Sequence, residues 1–422
     1  MTRVDLQGSD LNNARLIGAN LSFALLRNAV LAGASTRDLV GSCPASLPNA
    51  NWRCVPLLDP GRFALIGPTA NLAGADLEEA DLQGANLQGA NLQGANLQGA
   101  VTYDLLGCPE SLPDDTWRCV LQPANARFAL LGPGANLSDA DLSGAILTGA
   151  ILSDTDLFRA NLSQANLSQA NLSQANLSQA NLSQANLQGA DLSRAILSGA
   201  DISGAILSGS ILSNVDLSNF NLSNFNLSNV DFDGANLQGT NLQGANLQGA
   251  VTHGLLDCPE SLPDDTWRCV SQPANGLFAL LGPGANLSDA DLSNANTLNP
   301  NLEGANLSRA NLSQANLQGA NLTGATLSQA DLRQANLSRA GLFQANLSQT
   351  NLRGATLSYA NLSQANLSNA NLFQANLRQA NLSQANLQGA TLVETVLNGA
   401  IFSPETICPD GRTAGEFPRC GF

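Results

Sequence analysis

Leucine recurs at every fifth position through most of the chain, and its neighbours follow the same period. The clearest stretch, 160–188, repeats the letters ANLSQ, with alanine two positions before each leucine and asparagine one before. This period matches neither an α-helix, whose side chains repeat about every 3.6 residues, nor a flat strand, which repeats every second residue. The pattern predicts a backbone that turns a corner every five residues and returns above its start after four corners.

Two of the five positions are predicted to point inward. We expect the central leucine and the alanine two before it to fill a narrow interior at close-packed density, while the other three positions face solvent. The asparagine or aspartate before each leucine is expected to bond nearby backbone N–H groups, as Asx turns do, and to stack from coil to coil. We give this structural role to nine aspartates: Asp76, Asp81, Asp141, Asp156, Asp191, Asp201, Asp216, Asp291 and Asp331.

The repeat resembles the consensus A(D/N)LXX of the pentapeptide repeat family, and the cysteine-containing interruptions resemble those of cyanobacterial members. The resemblance covers most of the chain. It implies an all-β fold, a right-handed quadrilateral β-helix whose coils stack at the strand spacing of about 4.8 Å. It implies little about activity.

Three short loop insertions that are rich in Cys, Trp and Pro interrupt the repeat. The second and third, GCPESLPDDTWRCV and DCPESLPDDTWRCV, lie 150 residues apart, which indicates a duplicated module. We interpret each insertion as a hairpin-like excursion whose base is covered by Trp52, Trp117 or Trp267, and these loops are candidate interaction loops. The predicted organisation is repeat blocks at 1–35, 70–101, 135–251 and 285–403, loop insertions at 36–69, 102–134 and 252–284, and a C-terminal cap at 404–422.

The eight cysteines fall into four local pairs: Cys43/Cys54, Cys108/Cys119, Cys258/Cys269 and Cys408/Cys420. An even count at a repeated spacing favours disulfides, each worth roughly 2–3 kcal/mol for a loop of this length. A zinc site needs four ligands together and a redox pair prefers Cys-x-x-Cys, which is absent; free, buried thiols are the remaining alternative. Disulfides favour a periplasmic, lumenal or secreted location, yet the N-terminus lacks the features of a secretory signal, so the sequence leaves the location undetermined.

One coil carries bulky residues where the repeat has small ones. Val215, Phe220, Phe225 and Val230 occupy four successive alanine positions, and Phe232 replaces a central leucine. Together they would overfill a narrow coil. We expect either that the coil widens locally or that some rings are expelled and form an apolar patch.

The composition provides few side chains that could act in catalysis or bind a metal. The chain has one histidine, His253, no lysine and a formal net charge of −15. General acid–base groups are therefore almost all carboxylates, and much of the negative charge lies on the corner aspartates or in the loop insertions. We expect no catalytic activity, no cofactor and no metal, and the absence of a long apolar run predicts no membrane span.

The first functional hypothesis is a non-enzymatic structural or protein-interaction solenoid that presents rigid polar faces and disulfide-stapled loops to a protein partner. Nucleic acid is not expected as a partner, and dimeric or end-to-end self-association is left open. The alternative is a DNA-mimicking inhibitor or protector of a type II topoisomerase, a function that the family resemblance implies for some members. The net charge favours it, but residues 160–190 carry no charge at all. Recognition of ice or another lattice is a third hypothesis.

Overall fold

The protein is built from five-residue steps that join into four-sided coils. A computed structural model describes residues 4–415, and the chain divides into two compact units, Met1–Ser210 and Ile211–Phe422. In both units parallel bridges join residues 20 apart, such as Asn161 to Asn181 in the first and Asn311 to Asp331 in the second. Four pentapeptides therefore complete one turn, as predicted. The right-handed sense of the coil stays a prediction.

The regular secondary structure of the described residues is entirely β. The four-residue and five-residue strands belong to the insertions, and the coils are joined by single-residue bridges. Within residues 4–415 there is no helix, and hence none of the length and apolar character that would cross a membrane. The division into two units falls after Ser210, inside the third predicted repeat block, and does not coincide with any predicted block boundary. The block boundaries therefore stay a prediction.

In a regular step such as 161–165, each of the five backbone N–H groups has an acceptor, which explains the order of its residues. The N–H groups of Asn161, Leu162 and Gln164 donate to carbonyls of the neighbouring coils at 2.7–2.9 Å. Ala165 N–H closes the corner turn on the Leu162 carbonyl at 3.0 Å. The remaining N–H, that of Ser163, has no carbonyl within reach and donates to the Asn161 side-chain oxygen at 3.2 Å. The asparagine is therefore part of the coil's hydrogen bonding.

The aspartates at the same position have the same role. All nine that the sequence singles out accept the N–H of the residue two positions later. The predicted stacking is also present, since Asn161 Nδ2 donates to Asp141 Oδ1 of the previous coil at 3.1 Å. The structural interpretation of these carboxylates is confirmed, so nine of the 33 acidic residues have a role in turn formation.

The last residue of each step adopts a left-handed backbone conformation, whether or not it is glycine. Gln164 has φ of 60° and Gly189 has φ of 65°. For an L-residue this region costs roughly 1–2 kcal/mol. Stacked glutamine amides offset part of that cost, as where Gln344 Nε2 donates to Gln364 Oε1 at 2.9 Å.

The interior is filled as the sequence predicts. Leu162 and Ala165 are both 0% exposed. In the coil with bulky residues, Val215, Val230 and Phe232 are buried, while Phe220 and Phe225 are half-buried. That coil keeps its hydrogen bonds to the following one, for example from Asn241 N–H to the Phe220 carbonyl at 3.0 Å. Part of the excess volume is thus packed inside and part reaches the surface.

The insertions form three antiparallel hairpins. In the first, β1 (Leu39–Val40), β2 (Arg53–Pro56) and β3 (Arg62–Ile66) form a sheet in the order β1-β3-β2. The second consists of β4 (Arg118–Gln122) and β5 (Arg127–Leu131), and the third of β6 (Arg268–Gln272) and β7 (Leu277–Leu281). The first two belong to the first unit and the third to the second unit.

The chain folds back after the last coil. Ile407 bridges to Asn386 in parallel, and Thr413 then pairs antiparallel with Ile407. The described part of segment 404–415 therefore lies against the final coil, where the sequence predicts a cap.

We predict that Leu167→Ala destabilises the protein by about 2–5 kcal/mol, because Leu167 is 0% exposed and its loss leaves a cavity in a narrow interior. Gln188→Ala is the matched control; it changes an exposed side chain of the same block and should stay within about 0.5 kcal/mol. Urea unfolding followed by circular dichroism measures both. Equal midpoints for the two variants would contradict the inward assignment of the leucine.

Candidate interaction hairpins

Each hairpin takes the place of the fourth side of a coil, after three sides have bridged to the coil before. The chain then returns to the position where the next coil begins. In the second, Val101, Gly107 and Ser111 still bridge to the coil before. The chain then departs into β4 and β5. Asn136 returns to bridge Val101, 35 residues later where an uninterrupted coil needs 20. The hairpin is therefore an excursion added to a coil that is otherwise complete.

A disulfide ties the outgoing strand to the coil. Cys108 lies in the coil part, where its carbonyl accepts Gly89 N–H at 3.2 Å, and Cys119 lies in β4. Their Cα atoms are 5.9 Å apart. The pairs Cys43–Cys54 and Cys258–Cys269 repeat this arrangement with Cα separations of 5.9 and 6.0 Å. Three predicted pairings are thus formed. Cys408 is 2% exposed; its predicted partner, Cys420, lies outside the described residues.

The tryptophans are anchors at the base of the hairpins. Trp52, Trp117 and Trp267 are only 4–6% exposed. Each ring lies directly on a glycine of the returning chain: a Cβ added to Gly132 would be 2.2 Å from Trp117 Cδ2, and Gly67 and Gly282 are covered in the same way. These glycines allow close approach of the ring. Because the rings are buried, other residues must form the exposed surface of the loops.

A buried threonine anchors each returning strand, and sequence reasoning missed it. Thr102 Oγ1 donates to the Leu130 carbonyl at 2.7 Å, and Leu130 N–H donates to the Thr102 carbonyl at 2.8 Å. Thr36 and Thr252 make the same reciprocal pair with the equivalent leucines. A signal was available, because each threonine occupies a central leucine position as the first residue of an insertion.

A buried glutamine also fixes the second and third hairpins. Gln122 is 0% exposed. Its Oε1 accepts Asp104 N–H at 2.8 Å, and its Nε2 donates to the Asp141 carbonyl at 2.9 Å. Gln272 makes the equivalent two bonds at 3.0 and 2.9 Å. The first hairpin has Leu57 at this place, so its anchoring is simpler.

The second and third hairpins share these anchors and differ at six positions. Segments 101–134 and 251–284 are otherwise identical. Four of the six positions are half-buried or exposed in both segments. The pairs are Tyr103/His253, Asp104/Gly254, Gly107/Asp257, Leu121/Ser271, Ala126/Gly276 and Arg127/Leu277. No difference falls on a cysteine, tryptophan, threonine, glutamine or ring-covered glycine of the anchors.

The polar contacts made around residues 103–104 of the second hairpin differ from those made by His253 in the third. In the second, the Asp104 carboxylate accepts from Asn125 Nδ2 at 2.7 Å and from Gln83 Nε2 at 3.2 Å. In the third, His253 Nδ1 lies 3.9 Å from Asp233 Oδ1. Burial, together with the negative charges of Asp104, Asp139 and Asp81, raises the pKa of Tyr103.

The hairpins present an exposed surface and no cluster of metal ligands among the described residues. Among residues 4–415, His, Cys, Asp and Glu side chains do not gather in any group of three that could hold a metal ion. What the hairpins present are exposed apolar side chains beside polar ones, such as Leu106 and Leu121, which are 43% and 50% exposed. Such a mixed surface suits contact with another protein.

Comparison with known proteins bears on the fold. The model of the family described as Pentapeptide repeats matches residues 1–35, 70–101, 135–174, 175–214, 210–249, 285–324, 301–339, 335–374 and 365–403. No curated protein sequence matches the chain.

Three solved structures give the scale of the similarity. The pentapeptide repeat protein Rfr23 of the cyanobacterium Cyanothece 51142 is 44% identical over 24% of this chain and 62% of its own length, with a TM-score of 0.20. HetL of Nostoc sp. PCC 7120, described as involved in heterocyst differentiation regulation, is 31% identical over 67% of this chain and 90% of its own, with a TM-score of 0.17. QnrB1, a plasmid-mediated fluoroquinolone resistance protein, is 19% identical over 47% and 84%, with a TM-score of 0.26.

We predict that Gly132→Ala loosens the second hairpin and destabilises the protein by roughly 1–3 kcal/mol, because the new methyl group would overlap the Trp117 ring. Gly341→Ala is the matched control: its φ is also not positive, and its Cβ would have no neighbour closer than 3.9 Å. Tryptophan fluorescence during urea unfolding reports both. An unshifted emission maximum and midpoint for Gly132→Ala would show that Trp117 is not held against this glycine.

Proposed function

Since the chain belongs to the pentapeptide repeat family, we propose that it is a non-catalytic solenoid that presents its anchored hairpins to a protein partner. The observation that carries this proposal is the contrast within the duplicated module. The anchors of the second and third hairpins are identical, while exposed or half-buried positions such as Leu121/Ser271 and Arg127/Leu277 differ. A surface that is fixed in place but varied in chemistry is suited to recognition.

The anchoring supports the proposal on energetic grounds. A loop that is ordered only on binding loses conformational entropy at that moment, which lowers affinity. Here the disulfide, the buried tryptophan and the threonine pair order each hairpin beforehand. The coil contributes the fixed spacing between hairpins within the first unit.

The exposed chemistry favours a protein over a nucleic acid as the partner. Leu106, Leu121 and Leu256 are 43–56% exposed on hairpins that also carry carboxylates at Glu110 and Glu260. Apolar side chains with a polar rim are typical of protein interfaces. An acidic, partly apolar surface would instead repel a phosphate backbone.

We expect a photo-crosslinking residue placed at Leu121 to capture a partner from an extract of the native host. The same residue at Gln188, on an exposed coil face, is the matched control and should capture it far less. Leu121→Asp combined with Arg127→Asp should weaken recovery of that partner by about tenfold or more, the scale of a central interface residue. Partner capture that is equal from Gln188 and Leu121, or insensitive to the double variant, would contradict the hairpin proposal.

A further inference from the structure

The charges of the chain are strongly separated along its length. Between residues 76 and 156 there are twelve acidic residues and two arginines, whereas between 304 and 393 there are five arginines and one aspartate. The first stretch lies in the first unit and the second in the second unit. A chain with a net charge of −15 thus contains a segment of the opposite sign.

Four arginines of the basic segment lie on two adjoining sides of successive coils, and we call them the arginine surface: Arg333, Arg339, Arg353 and Arg378. Arg333 and Arg353 are one coil apart, and with Gln314 and Gln334 they line a polar groove. The Arg353 guanidinium lies over the Phe373 ring at 5.1 Å, which holds it in place.

Three of these four guanidinium groups lack an anionic partner in the part of the chain that the structure describes. Arg333 pairs with Asp331. Among residues 4–415, neither Arg339, Arg353 nor Arg378 has a carboxylate within ion-pair distance. An arginine can form an ion pair with an aspartate at the same position of the neighbouring coil. Arg309 does so with Asp289, 20 residues away, through Nε at 2.7 Å and Nη2 at 2.5 Å.

Eight carboxylates of the acidic segment lie on two adjoining sides of the first unit, and we call them the acidic surface: Asp76, Glu78, Glu79, Asp81, Asp104, Asp139, Asp154 and Asp156. The negative charges of three of them combine at one place: with burial as the first cause, Asp104, Asp139 and Asp81 raise the pKa of the half-buried Tyr103. Asp104 and Asp139 lie on successive coils, because Val101 bridges to Asn136.

We propose that the arginine surface docks the acidic surface of a second copy of this chain. The two surfaces have opposite charge, and successive coils within each are about 4.8 Å apart, so rows of guanidinium groups face rows of carboxylates when the two dock. Arginine binds carboxylates in bidentate fashion, as Arg309 already does within the chain. The contact joins different surfaces of the two copies and is therefore heterologous, so it can continue from copy to copy.

The salt dependence of self-association separates this proposal from simple charge repulsion. Raising salt from about 0.01 M to about 1 M shortens the Debye length from roughly 30 Å to 3 Å. A complementary contact weakens under this change, whereas repulsion between copies of net charge −15 is relieved. Sedimentation equilibrium of the full oxidised chain should show a weight-average mass that falls as salt rises. A mass that is constant or rises with salt would overturn the proposal.

A matched pair of variants locates the contact. Arg353→Glu with Arg378→Glu should abolish self-association at low salt, yet this variant should still bind the wild-type chain, because its own acidic surface is intact. Arg309→Gln, which alters an arginine already paired with Asp289, should associate as the wild type does. If the double variant self-associates normally, the arginine surface is not the contact. If the chain stays monomeric while the arginine surface binds a polyaspartate peptide, its occupant is a foreign acidic protein and the second copy is ruled out.

Discussion

The structure depends on one constraint: the five backbone N–H groups of a regular step such as 161–165 must find acceptors while its leucine points inward. Neighbouring coils accept three of them, and the corner turn accepts a fourth. The fifth falls to the side-chain oxygen of the asparagine or aspartate, as Ser163 N–H shows. This explains why the residue before each leucine is so often polar and short, and why stacking at a fixed spacing follows.

The hairpins satisfy the same constraint at the points where the coil is interrupted. There the backbone loses neighbours from the coil, and side chains replace them. Thr102 substitutes a hydroxyl for a leucine side chain and bonds the returning strand, and Gln122 bridges the hairpin base to the next coil. The disulfide and the Trp117 ring then hold the excursion in place. An exposed loop of this kind is ordered because the backbone at its base is hydrogen-bonded, as the backbone of the coil is.

The sequence predicts the coil well because the repeat encodes it many times over. The inward leucines, the corner role of the aspartates and three cysteine pairings all follow from local spacing. The bonds of Thr102 and Gln122 were not predicted because each joins a residue far along the chain, Leu130 and Asp141 respectively, and these pairings exist only after folding. The partial exposure of Phe220 and Phe225 depends on how neighbouring side chains share a limited volume, which a repeat pattern does not specify.

The central claim is that the hairpins are extensions of the hydrogen-bonded coil. Amide hydrogen exchange in the oxidised full chain tests it most directly, by comparing Leu130 and Leu280, which bond to Thr102 and Thr252, with Leu162 inside a regular coil. We expect the two hairpin amides to exchange slowly, within about tenfold of Leu162, because they open only when the coil opens. Exchange of Leu130 and Leu280 near the rate of an unprotected amide, with Leu162 still protected, would contradict it.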